Sequence, residues 1–462
     1  MKRFTNTPYD ALRVGMHAEL KRICRSEDLY VFANASGNIN PMHLPHEDGD
    51  GDGDAERRAT APSMWVASSI SAVLGNLLPG PGTLLQSQSM RFVARVFDGD
   101  DIVSRVRLVE KLPGRVVRFA TSVHRADGLM VAEGEAEVLA PMRSISFDAS
   151  DIPGLTVRRH VHFEKLLAKA EPLAALRTAV AAPEDANSLG GALLAAKHTL
   201  ITPILVGNSN KIRAVAAEIG ADVSGIEIIE AANHDEAAAR VVALVHEGKA
   251  QAVMKGFLHT EQLLRHVVKR EGGLRTARRL SHVFVMDVPG SQRLLMVTDA
   301  VVNIAPDLEA KADIIQNAID LARALGIKTP RVAVLSALEL VNARIASTLD
   351  AAILSKMADR GQITGGMVDG PLGMDNAIDL AAAKTKAIKS GVAGRADILA
   401  MPGMEAGNML AKQLTYAAHA EAAGLVVGAK CPIILTSRAD NDAARLASCA
   451  VAALYAKWCE SR

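Results

Sequence analysis

Residues 250–260, Ala250-Gln251-Ala252-Val253-Met254-Lys255-Gly256-Phe257-Leu258-His259-Thr260, pass from an apolar run into a glycine turn and then a polar loop. A short apolar run closed by Lys-Gly is the pattern of a buried strand whose far end leaves its sheet. The pattern recurs in Pro203-Ile204-Leu205-Val206-Gly207, Arg331-Val332-Ala333-Val334-Leu335, Asp397-Ile398-Leu399-Ala400 and Pro432-Ile433-Ile434-Leu435, with Ala-rich helical stretches between. Alternating strand and helix predict a parallel sheet with helical crossovers, whose strands are buried on both faces and so apolar throughout. Ligands of such sheets bind beyond the carboxyl ends of the strands, so the residues after each run are where chemistry is sought.

Residues 1 to about 145 read differently. Ile102-Val103-Ser104-Arg105-Val106-Arg107-Leu108-Val109 and Val116-Val117-Arg118-Phe119-Ala120-Thr121-Ser122-Val123 show period-two patterning, with turn signals at Asp98-Gly99-Asp100, Leu112-Pro113-Gly114 and Asp127-Gly128. This predicts an antiparallel meander. Ahead of it, Met64 to Leu78 is apolar on most faces and stops at Leu78-Pro79-Gly80-Pro81-Gly82, which predicts one buried helix. A helix wrapped by antiparallel strands makes a small α+β domain. Pro141 to about Arg159 carries Pro, Ser, Asp and Gly without periodicity and is read as the boundary. The chain is therefore multidomain, with a first domain over 1–145, a linker over 146–159 and a second domain over 160–462.

Bulk composition narrows the partners. A chain of 462 residues exceeds what one hydrophobic core normally supports. Its 52 Lys and Arg against 51 Asp and Glu leave no global basic field to hold nucleic acid or an anionic membrane. Cys24, Cys431, Cys449 and Cys459 lie far apart with no CxxC pair, which speaks against structural zinc and a disulfide framework and suits a reducing compartment. The opening MKRFTNTPYD lacks an apolar signal core, and no stretch reaches the roughly 18 apolar residues of a spanning helix, so a soluble cytoplasmic protein is expected. GxxxxGK[ST] is absent and no GxGxxG follows a strand at the required place, which ranks nucleotide hydrolysis low.

Beyond the strand runs lie Lys255 to Thr260, Ser336-Ala337-Leu338-Glu339, Pro402-Gly403-Met404-Glu405-Ala406-Gly407-Asn408 and Thr436-Ser437-Arg438-Ala439-Asp440. Phosphate and a thioester or acyl-phosphate carbonyl both demand the cationic and hydroxyl donors these loops supply, and helix N-termini add amides and a favourable dipole. Taken singly, Ser-Arg after a strand is commonly a helix cap and Lys-Gly a turn. The ordered set says more. Met254-Lys255-Gly256 with His259-Thr260, Thr298-Asp299-Ala300 with Asn303-Ile304-Ala305-Pro306-Asp307, Leu335-Ser336-Ala337, Gly370-Pro371-Leu372 with Asp375-Asn376-Ala377, Glu405-Ala406-Gly407-Asn408-Met409 and Leu435-Thr436-Ser437-Arg438 closely resemble the phosphate acetyl/butyryl transferases. The resemblance spans roughly residues 160 to 460.

That resemblance implies a two-lobed α/β acyltransferase with parallel sheets, lobe I over about 160–298 plus 440–462 and lobe II over about 299–439. The active site would lie between the lobes, usually in a homodimer. It implies no bound cofactor and no metal: coenzyme A, acyl-CoA, acyl phosphate and inorganic phosphate are small-molecule substrates, exchanged without a covalent enzyme intermediate. Ser437 matches the family's active-site serine and would donate to the developing oxyanion, while Arg438 would bind phosphate or stabilise transition-state charge. Thr260, Arg265 and Ser281, with Lys255 nearby, would hold phosphate in the first lobe, and Asn408 and Lys412 would lie beside the cleft in the second. The thiol of coenzyme A needs a base; Asp440 and Asp442 are candidates, whereas the acetyl-transferring branch places its base near Ala444. The residues at 254–256 and 435–438 lean toward the butyryl-type branch, and acyl chain length stays open.

In the N-terminal half, Tyr30-Val31-Phe32-Ala33-Asn34-Ala35-Ser36-Gly37-Asn38-Ile39-Asn40-Pro41-Met42-His43-Leu44 resembles the active-site loop of the MaoC-like (R)-specific enoyl-CoA hydratases. Leu78 to Thr83, Arg91-Phe92 and Val96 to Asp100 extend the resemblance over about residues 10 to 140. It implies a hotdog fold, and the order of the two halves resembles hydratase–phosphate acyltransferase fusions. The hydratases activate water with an Asp and a His. Here the Asp position is Asn38, followed by Asn40 and His43, and an amide orients water without accepting its proton. The family's His-Gly-Met at the helix start stands here as Pro62-Ser63-Met64, so Ser63 replaces the glycine that allows close backbone approach.

Three readings are therefore carried: an acyltransferase with a degenerate hotdog domain, an enzyme active at both ends, and a non-catalytic acyl-CoA-binding scaffold. Hotdog units usually complete their site with a partner hotdog, which implies a homo-oligomer. The run Asp48-Gly49-Asp50-Gly51-Asp52-Gly53-Asp54 imitates an EF-hand loop, but its twelfth position is Ala59 rather than a bidentate Glu, so it is read as a flexible acidic loop.

Overall fold

The computed structural model describes residues 3–45, 58–148, 155, 157, 159–436 and 440–461. The acidic run Asp48 to Asp54 lies outside the described residues. The chain divides into two compact units, Met1–Val157 and Arg158–Arg462.

The first unit comprises β1 (Arg3–Thr5), β2 (His17–Ile23), α1 (Ser26–Ser36), α2 (Ser63–Asn76), β3 (Leu84–Phe92), β4 (Asp101–Lys111), β5 (Val116–Arg125), β6 (Met130–Leu139) and β7 (Ser146–Asp148). Its five-stranded sheet has the order β2-β4-β5-β6-β3, antiparallel at every step. The period-two pattern is visible in burial: Ile102, Ser104, Val106 and Leu108 of β4 point inward, while Arg105 and Arg107 face out. The inward side chains pack with Trp65, Val66, Ile70, Val73 and Leu74 of α2 into one core that includes the fully buried Phe119. Ser69 of α2 and Ser104 of β4 satisfy each other inside that core at 2.6 Å, so neither buried hydroxyl loses a partner.

In the second unit the order is α3 (Val161–Ala170), β8 (Leu176–Ala181), α4 (Ala186–Lys197), β9 (Ile201–Gly207), α5 (Ser209–Glu218), β10 (Ile228–Glu230), α6 (His234–His246), β11 (Ala252–Lys255), α7 (Thr260–Val267), β12 (Ser281–Asp287) and β13 (Leu295–Thr298). There follow α8 (Leu308–Ala324), β14 (Arg331–Leu335), α9 (Ala346–Asp359), β15 (Met367–Leu372), α10 (Met374–Ile378), α11 (Leu380–Thr385), β16 (Ile398–Ala400), α12 (Met404–Ala417), β17 (Glu421–Val427), β18 (Ile433–Ile434) and α13 (Asp442–Glu460). Among the described residues the strands form one eleven-stranded sheet, β10-β9-β8-β11-β18-β17-β12-β13-β16-β14-β15.

This sheet is mixed, which corrects the expectation of parallel sheets. β10, β9, β8, β11 and β18 form one parallel block, and β13, β16, β14 and β15 form another. Between them β17 and β12 pair antiparallel with each other, β17 antiparallel with β18, and β12 antiparallel with β13. Three reversals make the two blocks run in opposite directions. Glu421–Val427 and Ser281–Asp287 are mostly apolar like the parallel strands, and burial on both faces selects apolar side chains whatever the strand direction.

The register fixes where the blocks end. Met254, Ile434, Leu425, Val283, Thr298 and Ala400 lie in one row across the sheet. From that row the chain continues to Lys255 and Leu435 in one direction and to Asp299 and Met401 in the other. The strand ends that carry candidate residues thus leave the sheet at opposite edges. Helix α13 returns after β18 and packs along β17 and α3. No helix among the described residues is long and apolar enough to cross a membrane.

Candidate active site

At the first block's carboxyl edge, Gly256 sits where the chain presses back on β8. A Cβ there would lie 2.4 Å from the Ala181 carbonyl oxygen and 2.5 Å from that of Ala182, so only glycine fits. The amides of Gly256 and Phe257 donate to those two carbonyls at 2.8 and 2.7 Å. Lys255 is buried, and its Nζ donates to the carbonyls of Gly256 (3.2 Å) and Leu258 (3.5 Å), tying the loop to the strand end. Thr260 is the half-buried first residue of α7, where backbone N–H groups lack helical partners. Arg265 pairs with Asp235, whose carboxylate also accepts from His266 Nε2 at 2.9 Å; these donors hold Asp235 below the usual carboxylate range.

Beside this loop, Glu184 gathers three donors: the Asn208 amide (3.0 Å), Lys211 Nζ (3.0 Å) and His234 Nε2 (3.4 Å). Burial pushes its pKa up, but the donors outweigh that and lower it. Neither Glu184 nor His234 carries a motif signal in the sequence. Asp440 is half-buried, and Asp442 opens α13 on an exposed turn. Ser437 and Arg438 lie outside the described residues, directly after buried Thr436.

The opposite edge is built around Asp299. Its carboxylate accepts from the amides of Val301 (2.8 Å), Val302 (3.0 Å) and Asn303 (3.2 Å) and from Asn303 Nδ2 (2.6 Å). Four donors satisfy the buried charge and lock residues 299–303 into one turn. Asn408 Nδ2 donates to the Ala300 carbonyl at 3.1 Å, so this candidate amide braces that turn, while Lys412 is exposed. Ser281 is wholly buried and accepts from Asn317 Nδ2 at 3.0 Å. The Ser281 hydroxyl is thus engaged inside the sheet.

Next to Ser281, His282 is buried in the sheet with its Nδ1 unpartnered and its ring edge-on to Phe284, centroids 4.3 Å apart. Burial pushes its pKa down to about 4, with the Asp299 carboxylate opposing. The neutral ring is therefore the state that fits this environment.

In the first unit, Asn38 Oδ1 accepts from the Asn40 amide and Asn40 Oδ1 from the Met42 amide, each at 3.3 Å. His43 Nδ1–H donates to the Thr60 carbonyl at 2.7 Å, which leaves Nε2 with its lone pair. Thr60 and Ser63, the first residue of α2, line a cavity of about 210 Å³ with Val66 and Phe92. Of the hydratase-like residues Ser63 lines this cavity, His43 reaches its wall through the Thr60 carbonyl, and Asn38 stands exposed at its own turn.

Residues 233–453 match the family model described as phosphate acetyl/butaryl transferase. The phosphate acetyltransferase of Rhizobium meliloti is 58% identical over 294 residues, 64% of this chain and 93% of that protein. The phosphate butyryltransferase of Clostridium acetobutylicum is 43% identical over 294 residues, 64% of this chain and 98% of that protein. Among solved structures, a branched-chain phosphotransacylase from Enterococcus faecalis V583 superposes with a TM-score of 0.54 at 29% identity, covering 61% of this chain and 99% of that one.

The His282 environment predicts a pH dependence. The folded chain binds this proton only below about 4 and the unfolded chain below 6.5, so between them the unfolded state holds more protons and stability falls as pH drops. Urea unfolding of the second unit should therefore lose less stability between about pH 7 and about pH 4.5 in His282→Gln than in the parent protein. Equal losses in both proteins would contradict this account.

Proposed function

The chain belongs to the phosphate acetyl/butyryl transferase family, and on that premise we propose that its second unit exchanges a short acyl group between coenzyme A and inorganic phosphate at a site centred on Ser437 and Arg438. The observation that carries this reading is the 58% identity to a phosphate acetyltransferase across nearly the whole of that protein. The higher identity to that protein than to the butyryltransferase favours acetyl as the group transferred.

In the proposed reaction the coenzyme A thiolate attacks the acyl-phosphate carbonyl, charge develops on the carbonyl oxygen, and phosphate leaves; the reverse direction uses the same groups. Ser437 donates to that oxygen and Arg438 offers a planar pair of donors to phosphate. Thr260 and the first amides of α7 provide a second anion-binding position, with Lys255 and Arg265 adding positive charge to the same edge. Asn408 acts by bracing the 299–303 turn, and Lys412 by its exposed charge. Asp440, half-buried, suits the base role better than Asp442, which sits in open solvent at the helix start. Coenzyme A and phosphate are substrates, with no resident cofactor or metal, and the cytoplasm is the compartment proposed for this reaction.

The first unit is proposed to be a hotdog domain with an impaired hydratase site. His43, with Nε2 left as an acceptor, keeps one half of the acid/base pair, and Asn38 removes the carboxylate half. A homo-oligomer is proposed because β3 is an unpaired sheet edge that exposes Leu84, Leu85 and Phe92.

Phosphate-dependent thiol release from acetyl-CoA, propionyl-CoA and butyryl-CoA tests the transferase. Release should be fastest with acetyl-CoA, and fall by about 10²–10³-fold in folded Ser437→Ala and Arg438→Ala. No release from any of the three would sink the proposal and favour a binding scaffold. Crotonyl-CoA hydration should stay near background in the natural chain and rise in Asn38→Asp; brisk hydration by the natural chain would show instead an enzyme active at both ends. Sedimentation should give a dimer or larger species, and a stable monomer at micromolar concentration would refute the oligomer.

A further inference from the structure

Glu184, in the loop after β8, has only 4% of its side chain exposed and lies at the strand-end edge that carries Lys255 and Thr260. Its Oε1 accepts at 3.0 Å from the amide of Asn208, the N-cap of α5. Its Oε2 accepts from Lys211 Nζ at 3.0 Å and from Nε2 of His234, the first residue of α6, at 3.4 Å. One carboxylate thus joins the loops that leave β8, β9 and β10. Gly207 ends β9 beside it, and a Cβ there would lie 3.1 Å from Glu184 Oε1 and 3.3 Å from Ala182 Cα. The carboxylate occupies the space that this glycine leaves.

Two routes carry this anchor on to the loop after β11. Ala182 takes a φ of 49°, in the left-handed region that a residue with a Cβ rarely adopts. Its carbonyl accepts from both the Glu184 amide at 2.9 Å and the Phe257 amide at 2.7 Å. The second route runs through side chains: His234, held at Nε2 by Glu184, sets its ring edge-on to that of Phe257, centroids 6.1 Å apart at 89°. Phe257 stands between Lys255 and Thr260 in the chain. An unusual backbone conformation persists where its surroundings over-determine it, and here they include the donors gathered by a buried charge.

We propose that Glu184 is a positioning residue for acyl transfer: through His234 and the Ala182 turn it holds the 255–260 loop in the shape that receives a phosphoryl group, carried by inorganic phosphate or by coenzyme A. This rests on the assignment of Lys255 and Thr260 as substrate-binding residues. Charge alone would act in the other direction. A carboxylate repels an anion, so neutralising Glu184 without moving the loop would tighten binding. Weaker binding in a neutral variant therefore separates positioning from plain electrostatics. The loop holds substrate before and during the reaction alike, so the loss falls on KM and leaves kcat nearly unchanged.

The test measures kcat, KM for phosphate and KM for acetyl-CoA in phosphate-dependent thiol release by the full chain, well below each thermal midpoint. Glu184→Gln should raise one of the two KM values on the order of 10-fold with kcat within about threefold, since hydrogen bonds to a charged group are lost. The KM that rises tells whether inorganic phosphate or coenzyme A places its phosphoryl group at the loop. His234→Leu keeps the carboxylate and breaks the side-chain route to Phe257, so it should raise the same KM. The double variant should be no worse than Glu184→Gln alone, because both changes act along one route. Lys211→Met removes an exposed cation but neither route, and should stay within about twofold of the parent. Positioning by Glu184 is overturned, while the transferase reading stands, if both KM values stay or fall in Glu184→Gln, if only kcat drops, or if His234→Leu matches the parent. If the parent chain itself releases no thiol, that reading fails and the inference falls with it.

Discussion

The antiparallel ladder between β12 and β17 is the constraint on which the second unit depends. Seven residue pairs, Ser281 with Val427 through Asp287 with Glu421, join two parallel blocks that run in opposite directions. A parallel block alone presents all its carboxyl ends at one edge. Reversal through this ladder sends Lys255 and Thr436 to one edge and Asp299 and Met401 to the other, from strands that share a single row of paired residues. Because the ladder is buried on both faces, a shift of one residue would turn Val283, Val285, Leu425 and Val427 to the wrong side, so its register is strongly specified.

Polar groups around the ladder are placed to make its ends rigid. Asp299 spends its carboxylate on four donors, Asn303 Nδ2 reaches on to the Leu280 carbonyl at 2.9 Å, and Thr298 Oγ1 donates to the His282 carbonyl at 2.8 Å. A buried carboxylate is costly unless saturated in this way, and saturation leaves it little capacity to act on a ligand. The conspicuous Thr298-Asp299 motif is accordingly read as a device that shapes a turn. Lys255 follows the same logic at the other edge, where its ammonium serves the carbonyls of its own loop.

The first unit solves a different problem. A single long helix packs against the inward side chains of the antiparallel sheet, and the alternation of side chains along β4 and β5 leaves a charged outer face with pairs such as Arg105–Glu19 at 3.1 Å and Arg118–Glu137 at 2.8 Å. Such exposed pairs stabilise only weakly, so the unit depends on its apolar core and on the burial of Phe119, Ile70 and Val117. Ser63 opens α2, and in the preceding loop His43 is oriented by the Thr60 backbone carbonyl rather than by a carboxylate.

Much of this was legible from residue order alone. Period-two runs named β4 and β5, and short apolar runs named β9, β11, β14, β16 and β18, because burial on one face or two leaves a direct trace in residue polarity. The motifs around Lys255, Asp299, Asn408 and Thr436 were visible too, since donors must follow the strand ends. Strand direction was not legible, as apolar side chains suit parallel and antiparallel neighbours equally, and so the reversal at β12 and β17 was missed. Nor could spacing show that Ser281 is enclosed or that Asn408 is spent on the Ala300 carbonyl. Those contacts join residues far apart in the chain, and only the packing of helices such as α8 and α12 against the sheet decides which polar groups are consumed by the fold and which remain for a substrate.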